Sequence, residues 1–411
     1  MDRVFRAAAV ALLSGLVCAP AAEAAPAYAP NSVIVKYANG ASPKQRSLVR
    51  SAAGVLKTLG NLAGVGAQLV RVTGDPAEVA AALNRSPDVL YAEPNYIYRA
   101  TVVPNDPRFG EQYGLDNTGQ NGGTANADID APEGWGTTAL GAGAFPAALD
   151  GAKIGIVDTG IQASHEDLAG KVANCAGVKS FGTLLGLFAD PTVVTDKCVD
   201  DNGHGTHVAG IAAANTNNGV GVAGVAFNSP LAVCKALDSG GSGATAAIAN
   251  CITYLSQVGA KVISMSLGGP GSTTLQNAVA AASQNSLIVA ASGNAGNATL
   301  LYPAGYSQVV SVAAIDRNGV RAPFSTFNSD VEVAAPGVDI TSTWINNGYN
   351  TISGTSMATP YAAGVAAVIA GNTPGGPAAW RAKLDASVNG PGGRSPEIGF
   401  GRVSLLKAAT P

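Results

Sequence analysis

Histidine is scarce in this chain. Among 411 residues there are three, His165, His204 and His207, so any chemistry needing an imidazole must choose among them. Charge is scarce too: 12% of residues are charged, which excludes a long polyelectrolyte tail and a solvated coiled coil. Neither sign dominates. The 24 Lys and Arg face 27 Asp and Glu, a net of −3, so the electrostatic footprint of a nucleic-acid binder is missing. No stretch reaches ~18 apolar residues without a Gly or polar break, so no membrane anchor is predicted. Cysteine is limited to five residues, and no pair has the close spacing of a zinc site. The 52 glycines follow no triplet period, which excludes collagen. What remains is a loop-rich globular protein, long enough for two or three segments.

Residues 1–24 read as a secretory signal. Arg3 and Arg6 open it, Ala7 to Val17 form its apolar centre, and Ala22-Glu23-Ala24 fits a small-x-small cleavage site. Cys18 follows Val17 where a lipid attachment site would want a small residue. The predicted location is therefore secreted, extracellular or periplasmic. Removal of the signal leaves Cys175, Cys198, Cys234 and Cys251. Four cysteines in an exported chain suggest two disulfides, for which three pairings exist. Proximity favours Cys175 with Cys198 and Cys234 with Cys251, each closing a loop worth about 3 kcal/mol in the chain-entropy model.

Texture divides the rest in two. In residues 25–104, Ser32 to Tyr37, Gln68 to Val72 and Asp88 to Tyr91 are predicted strands. Ser42-Pro43 and Asp75-Pro76 are predicted to open helices ending near Ala53 and Arg85. This is a small α+β module. From residue 105 to 411, Gly- and Asn-rich loops separate short apolar runs. Lys153 to Val157, Leu231 to Leu237, Lys261 to Ser266, Ser286 to Ala290 and Val309 to Ala313 are predicted strands. Helical patterns at His204 to Ala214, Ala244 to Ser256 and Thr274 to Gln284 alternate with them. That alternation predicts an α/β fold, a mostly parallel sheet with helices on both faces. Ligands of such sheets bind at the strands' carboxyl ends, and Asp158 stands at one. The front segment carries a net +4 and the rear one −7, which favours docking of the two.

Three motifs carry chemistry. Asp158 lies in Ile156-Val157-Asp158-Thr159-Gly160. His204 lies in Asn202-Gly203-His204-Gly205-Thr206-His207. Ser356 lies in Gly354-Thr355-Ser356-Met357-Ala358, before an Ala-rich helix. Acyl transfer needs a nucleophile that is weak at its free pKa, a base beside it and a carboxylate to hold the base. A serine at a helix start also has free backbone N–H groups for a developing oxyanion. No histidine follows Ser356, which excludes an α/β-hydrolase order. His204 and His207 could instead be metal ligands three residues apart, but no third ligand motif accompanies them.

Together these motifs resemble the subtilisin-like serine proteases (subtilases) over about residues 105–411. The Asp, His, Ser order is that family's known order. The resemblance implies that Asp158 orients the base, His204 is base and then acid, Ser356 attacks, and His207 is structural. Ser292-Gly293-Asn294-Ala295-Gly296 resembles the oxyanion segment and implies Asn294 as an oxyanion donor. Gly241-Ser242-Gly243 and Ser266-Leu267-Gly268-Gly269 resemble the strands flanking an extended peptide. Ser292 and Gly293 of the oxyanion segment are implied to bind substrate, Leu301 falls at a family pocket position, and a medium apolar preference is expected at the first pocket. Structural Ca²⁺ is implied, with side-chain ligands Asp106, Asp167 and Asn218 and carbonyls of Asn215, Val220 and Val222. Cys234 and Cys251 resemble a disulfide of some members. The front module resembles the inhibitor-like propeptide, a ferredoxin-like α+β unit that blocks the groove until self-cleavage between about Arg99 and Asn105.

The expected protein is thus a secreted endopeptidase acting on polypeptides, self-processed from a zymogen and inhibited by its own propeptide. A monomer without nucleic acid or membrane anchor is expected. The rival is an inactive binding or regulatory protein on the same scaffold, which would show a broken triad or a lost oxyanion Asn.

Overall fold

A computed structural model describes residues 28–96, 103–136, 149–181 and 189–410. The predicted signal at 1–24, with Cys18, and most of the predicted cleavage stretch lie outside the described residues. The chain forms two compact units, Met1–Pro94 and Asn95–Pro411.

The first unit runs β1 (Tyr28–Tyr37), α1 (Pro43–Ala52), β2 (Val55–Leu62), β3 (Ala67–Val72), α2 (Pro76–Leu83) and β4 (Val89–Tyr96). Its sheet order is β2-β3-β1-β4. Both helices begin where side chains satisfy free amides. Ser42 and Gln45 form a reciprocal capping box, and Asp75 accepts from Ala77 N and Glu78 N. Val33, Val35, Val70, Val72, Val79 and Leu83 fill the core. The strand β2 escapes the sequence reading because it is an edge strand. None of its residues is fully buried, so no face imposes alternation on it.

In the second unit a ten-stranded sheet runs β15-β16-β12-β11-β10-β9-β5-β8-β6-β7. In chain order it opens with α3 (Ala131–Trp135), β5 (Ile154–Asp158), β6 (Val172–Ser180), β7 (Asp190–Thr195), α4 (His204–Ala213) and β8 (Leu231–Lys235). Then come α5 (Thr245–Gln257), β9 (Val262–Met265), α6 (Thr273–Ala282), β10 (Leu287–Ala291), β11 (Val309–Ile315) and β12 (Val331–Pro336). A hairpin of β13 (Ile340–Trp344) and β14 (Gly348–Ile352) precedes α7 (Thr355–Asn372) and α8 (Pro377–Ala386). Short β15 (Val388–Asn389), β16 (Arg402–Val403) and α9 (Leu405–Ala409) close the chain.

From β16 to β6 neighbouring strands are parallel, and β15 and β7 are antiparallel edges. Period-two alternation splits each inner strand between two cores. Ile154, Ile156, Leu231 and Val233 join the core shared with α4 and α7. Val157, Ala232 and Cys234 join the core shared with α5 and α6. Burial on both faces explains why these strands read as short apolar runs. Cys175 is bonded to Cys198, tying β6 to the loop after β7. Cys234 is bonded to Cys251, tying β8 to α5. The central strand β5 lies between β8 and β9, so its carboxyl end opens at a change of winding direction, where such folds place ligands.

Candidate active site

Asp158 ends β5 and is fully buried. Its Oδ1 accepts from Thr159 N at 2.7 Å and lies 2.8 Å from His204 Nδ1. A carboxylate only accepts, so Nδ1 carries the ring proton and Nε2 keeps its lone pair. Oδ2 has no partner among the described residues. His204 is the first residue of α4, after Gly203 at φ 111°. A side chain at Gly203 would collide with Trp344, so glycine is needed there for both backbone and space. Burial pushes the His204 pKa down, but the charge and hydrogen bond of Asp158, with the charge of Asp200, outweigh it and raise it overall.

Ser356 is the second residue of α7. Its Oγ donates to Ser266 O at 3.2 Å, and its own carbonyl accepts from Ser266 Oγ at 2.7 Å. The reason is four residues ahead. Pro360 sits inside α7 and has no N–H for the Ser356 carbonyl, so Ser266 supplies the donor. No hydrogen bond joins Ser356 Oγ to His204 among the described residues, a separation common in sites without substrate.

Asn294 Oδ1 accepts from Thr355 N at 2.9 Å and Thr355 Oγ1 at 2.8 Å. Two donors on the oxygen fix the amide so that Nδ2 faces the other way. A Cβ on Gly354 would lie 3.5 Å from Asn294 Nδ2 and 3.6 Å from Ser356 N. The two N–H donors therefore border one small space.

A cavity of about 420 Å³ lies beside His204 and Ser266. Gly241, Ser242 and Gly243 line it, as do Ser266, Leu267, Gly268, Gly269 and His204. Sequence reasoning missed its apolar end, formed by Leu237, Ile248, Leu275 and Tyr302. Those side chains come from separate elements, and no local pattern joins them. Ser292, Gly293 and Leu301 lie outside this lining. Ser292 is buried, with Oγ donating to Thr326 O at 3.3 Å. The Leu301 side chain packs behind Gly268, where a Cβ would meet it at 3.4 Å, and against Gly293.

The other two histidines hold the scaffold. His207 is buried, with Nε2 3.1 Å from both Ile340 O and Asn350 O. Burial, with nearby His204, pushes its pKa down to about 4 despite those carbonyls, so it is neutral at pH 7. His165 Nε2 lies 2.9 Å from Gly348 O, and its Nδ1 accepts from Asp167 N at 3.1 Å.

The residues expected to hold calcium gather around one loop. Asp106 accepts from Asn217 N at 2.8 Å and Asn218 N at 3.1 Å. Asp167 accepts from Asn218 Nδ2 at 2.9 Å, Val222 N at 2.8 Å and Tyr349 OH at 3.0 Å. Asn215 N donates to Asp167 O at 2.7 Å and Val220 N to Asn218 Oδ1 at 3.1 Å. A Cβ at Gly221, φ 46°, would collide with Asp167 and Tyr349. Among the described residues no three His, Cys, Asp or Glu side chains form a metal cluster. The donors here are two carboxylates with amide and carbonyl oxygens, a set that fits a hard cation.

Residues 150–401 match the model of the subtilase family, and residues 18–95 match the fervidolysin N-terminal prodomain. A thermophilic serine proteinase of Bacillus sp. (strain AK1) is 39% identical over 347 residues, covering 84% of this chain and 79% of the relative. Thermitase of Thermoactinomyces vulgaris is 45% identical over 271 residues, 65% of this chain and 85% of that protein. Among solved structures, a protease of Pseudoalteromonas arctica PAMC 21717 superposes with a TM-score of 0.64 at 30% identity, covering 75% of this chain and 99% of that one. Sphericase superposes with 0.55 at 34% identity, covering 63% and 94%.

Proposed function

The chain belongs to the subtilase family and is a serine endopeptidase made as a zymogen, and from that premise we propose that Asp158, His204, Ser356 and Asn294 carry its chemistry. One observation bears most of this reading. His204, paired with Asp158 at 2.8 Å, lines the same cavity whose wall residue Ser266 is bonded to Ser356. In the reaction Ser356 Oγ attacks the scissile carbonyl while its proton passes to His204 Nε2. Asp158 holds the ring in the required tautomer and stabilises the imidazolium. The carbonyl oxygen, now anionic, enters the space between Asn294 Nδ2 and Ser356 N. His204 returns the proton to the leaving amine, and water then hydrolyses the acyl-enzyme by the same route in reverse order.

Substrate lies along Gly241–Gly243 and Ser266–Gly269, which pair with its main chain, so cleavage is broad. Leu301, packed behind Gly268 and Gly293, shortens the first side-chain pocket, with Ser292 and Gly293 at its rim. A structural Ca²⁺ held by Asp106, Asp167 and Asn218, with carbonyls of Asn215, Val220 and Val222, supplies loop stability and no chemistry. In this reading residues 1–24 are a secretory signal, 25–104 the propeptide and 105–411 the catalytic domain. The secreted product is a monomer. No helix among the described residues is long and apolar enough to cross a membrane.

Expression of Ser356→Ala tests the reading. The exported chain should stay unprocessed at about 39 kDa, the 40.6 kDa precursor less its leader. Maturation of that variant on its own to a shorter form would exclude self-cleavage by Ser356.

A further inference from the structure

Asp200 has no role in the mechanism above, yet its carboxylate is 7% exposed and heavily bonded. Oδ1 accepts from Thr159 Oγ1 at 2.9 Å, Asn202 N at 3.0 Å and Gly203 N at 3.0 Å. Oδ2 accepts from Thr206 N at 2.9 Å and Thr206 Oγ1 at 2.6 Å. These donors belong to three segments: the turn after Asp158, the loop before His204 and the first turn of α4. Thr159 extends the bridge, because its Oγ1 also accepts from Gly205 N at 2.9 Å. Thr206 does the same by accepting from Gln162 N at 3.0 Å. The residues flanking Asp158 and those flanking His204 thus converge on one carboxylate.

We propose that Asp200 is a positioning residue for His204, locking the turn after Asp158 to the first turn of α4 and placing a second fixed negative charge beside the ring that becomes cationic during the reaction. This rests on His204 being the base. A carboxylate saturated by five donors cannot rotate away, so the Asp158–His204 pair is held before substrate arrives, where reorganisation would otherwise raise the barrier. Burial pushes the Asp200 carboxyl up, but the bonds from Thr206, Gly203 and Asn202 outweigh it and hold it below its ordinary pKa, so it stays ionised at working pH. Its charge adds to that of Asp158 in favouring the protonated imidazole.

The other groups near the ring do not duplicate this. His207, on the same helix, is neutral. The Lys235 ammonium at the end of β8 is engaged by Thr159 O and Asp201 Oδ1, each at 2.6 Å. The other elements packed on α4 present Ser342, Thr343 and Trp344 from β13 and Gly364 from α7, none of them charged.

The test is the pH profile of kcat/KM for mature enzyme, normalised by active-site titration, in Asp200→Asn, Thr159→Val and Thr206→Val, with self-processing of the His204→Ala precursor followed separately. For Asp200→Asn the expected result is a fall of about 10- to 100-fold, carried by kcat rather than KM. Its acid limb should move to lower pH, because one of two charges favouring the protonated ring is gone. Each threonine variant should lower kcat and leave the limb in place, since it cuts an arm and keeps the charge. An unmoved limb in Asp200→Asn overturns the proposal. So does wild-type kcat in both threonine variants, which decides the matter even where Asp200→Asn yields no mature enzyme. His204→Ala separates this from the base assignment, because a precursor that still matures itself to active enzyme would refute the assignment itself.

Discussion

Replacing Ser266 with alanine should expose how the nucleophile is held. In an ordinary helix the Ser356 carbonyl would accept the N–H of residue 360, but Pro360 has none. Ser266 Oγ supplies the missing donor at 2.7 Å. Ser266→Ala removes that donor and leaves a partly buried carbonyl unpaired, at a cost of about 1–3 kcal/mol. At roughly 2–4 °C per kcal/mol for a domain near this size, melting should fall by about 2–12 °C. The bond from Ser356 Oγ to Ser266 O survives, because its acceptor is main chain. The loss should therefore appear in stability and kcat, with KM little changed. Pro360→Ala provides the control by restoring the N–H four residues after Ser356. In that background Ser266→Ala should cost under about half as much, a coupling of roughly 1 kcal/mol in a double-mutant cycle. The assay is calorimetric melting of enzyme blocked by a serine-directed reagent, so that self-digestion does not truncate the transition. Equal cost in both backgrounds would refute the reasoning, because the hydroxyl would then be doing something other than replacing a helical donor.

Three further outcomes are expected. Asp385 on α8 is pushed up to about 7, first by burial and then by Glu332 beside it. The folded state therefore keeps a proton that the unfolded chain has lost, and this stability fades as pH rises from about 4 through about 7. Asp385→Asn should flatten that decline in melting temperature against pH, and parallel curves would count against it. Leu301→Gly should deepen the first pocket and raise kcat/KM for a peptide with an aromatic residue at the cleaved bond by about 10- to 200-fold relative to an alanine peptide; an unchanged ratio would remove Leu301 from the pocket. Adding Ca²⁺ at about 100 times its Kd should stabilise the protein by about 2.7 kcal/mol. That gain should vanish in Asp106→Asn combined with Asp167→Asn, and an equal shift in the double variant would place the ion elsewhere.

Much of the fold is legible in the chain because the inner strands are buried on both faces. Ile154 to Val157, Leu231 to Cys234 and Leu287 to Ala290 are unbroken apolar runs, and that is the mark of a covered parallel sheet. Several of the strands that escaped lack this constraint. β2 and β7 are half-exposed edges, and β14 belongs to a two-stranded hairpin with one open side. The strand β12 is fully buried yet contains Glu332, which local patterning rejects. Its carboxylate is tolerated because Arg381, 49 positions away, is bonded to both of its oxygens.

Residue types and their order were sufficient to nominate Asp158, His204, Ser356 and Asn294, because nucleophile, base, orienting acid and oxyanion donor each need a particular functional group in a short local motif. Nothing local says that Ser266 must stand in for the N–H absent at Pro360, or that Thr355 must turn the Asn294 amide. Nor does it say that one buried carboxylate, Asp200, gathers the segments around Asp158 and His204. Those facts depend on side chains 41 to 90 positions apart meeting across the ends of neighbouring strands. Chemistry is written in single residues, but the few tenths of an ångström on which it depends are set by groups that only folding brings into contact.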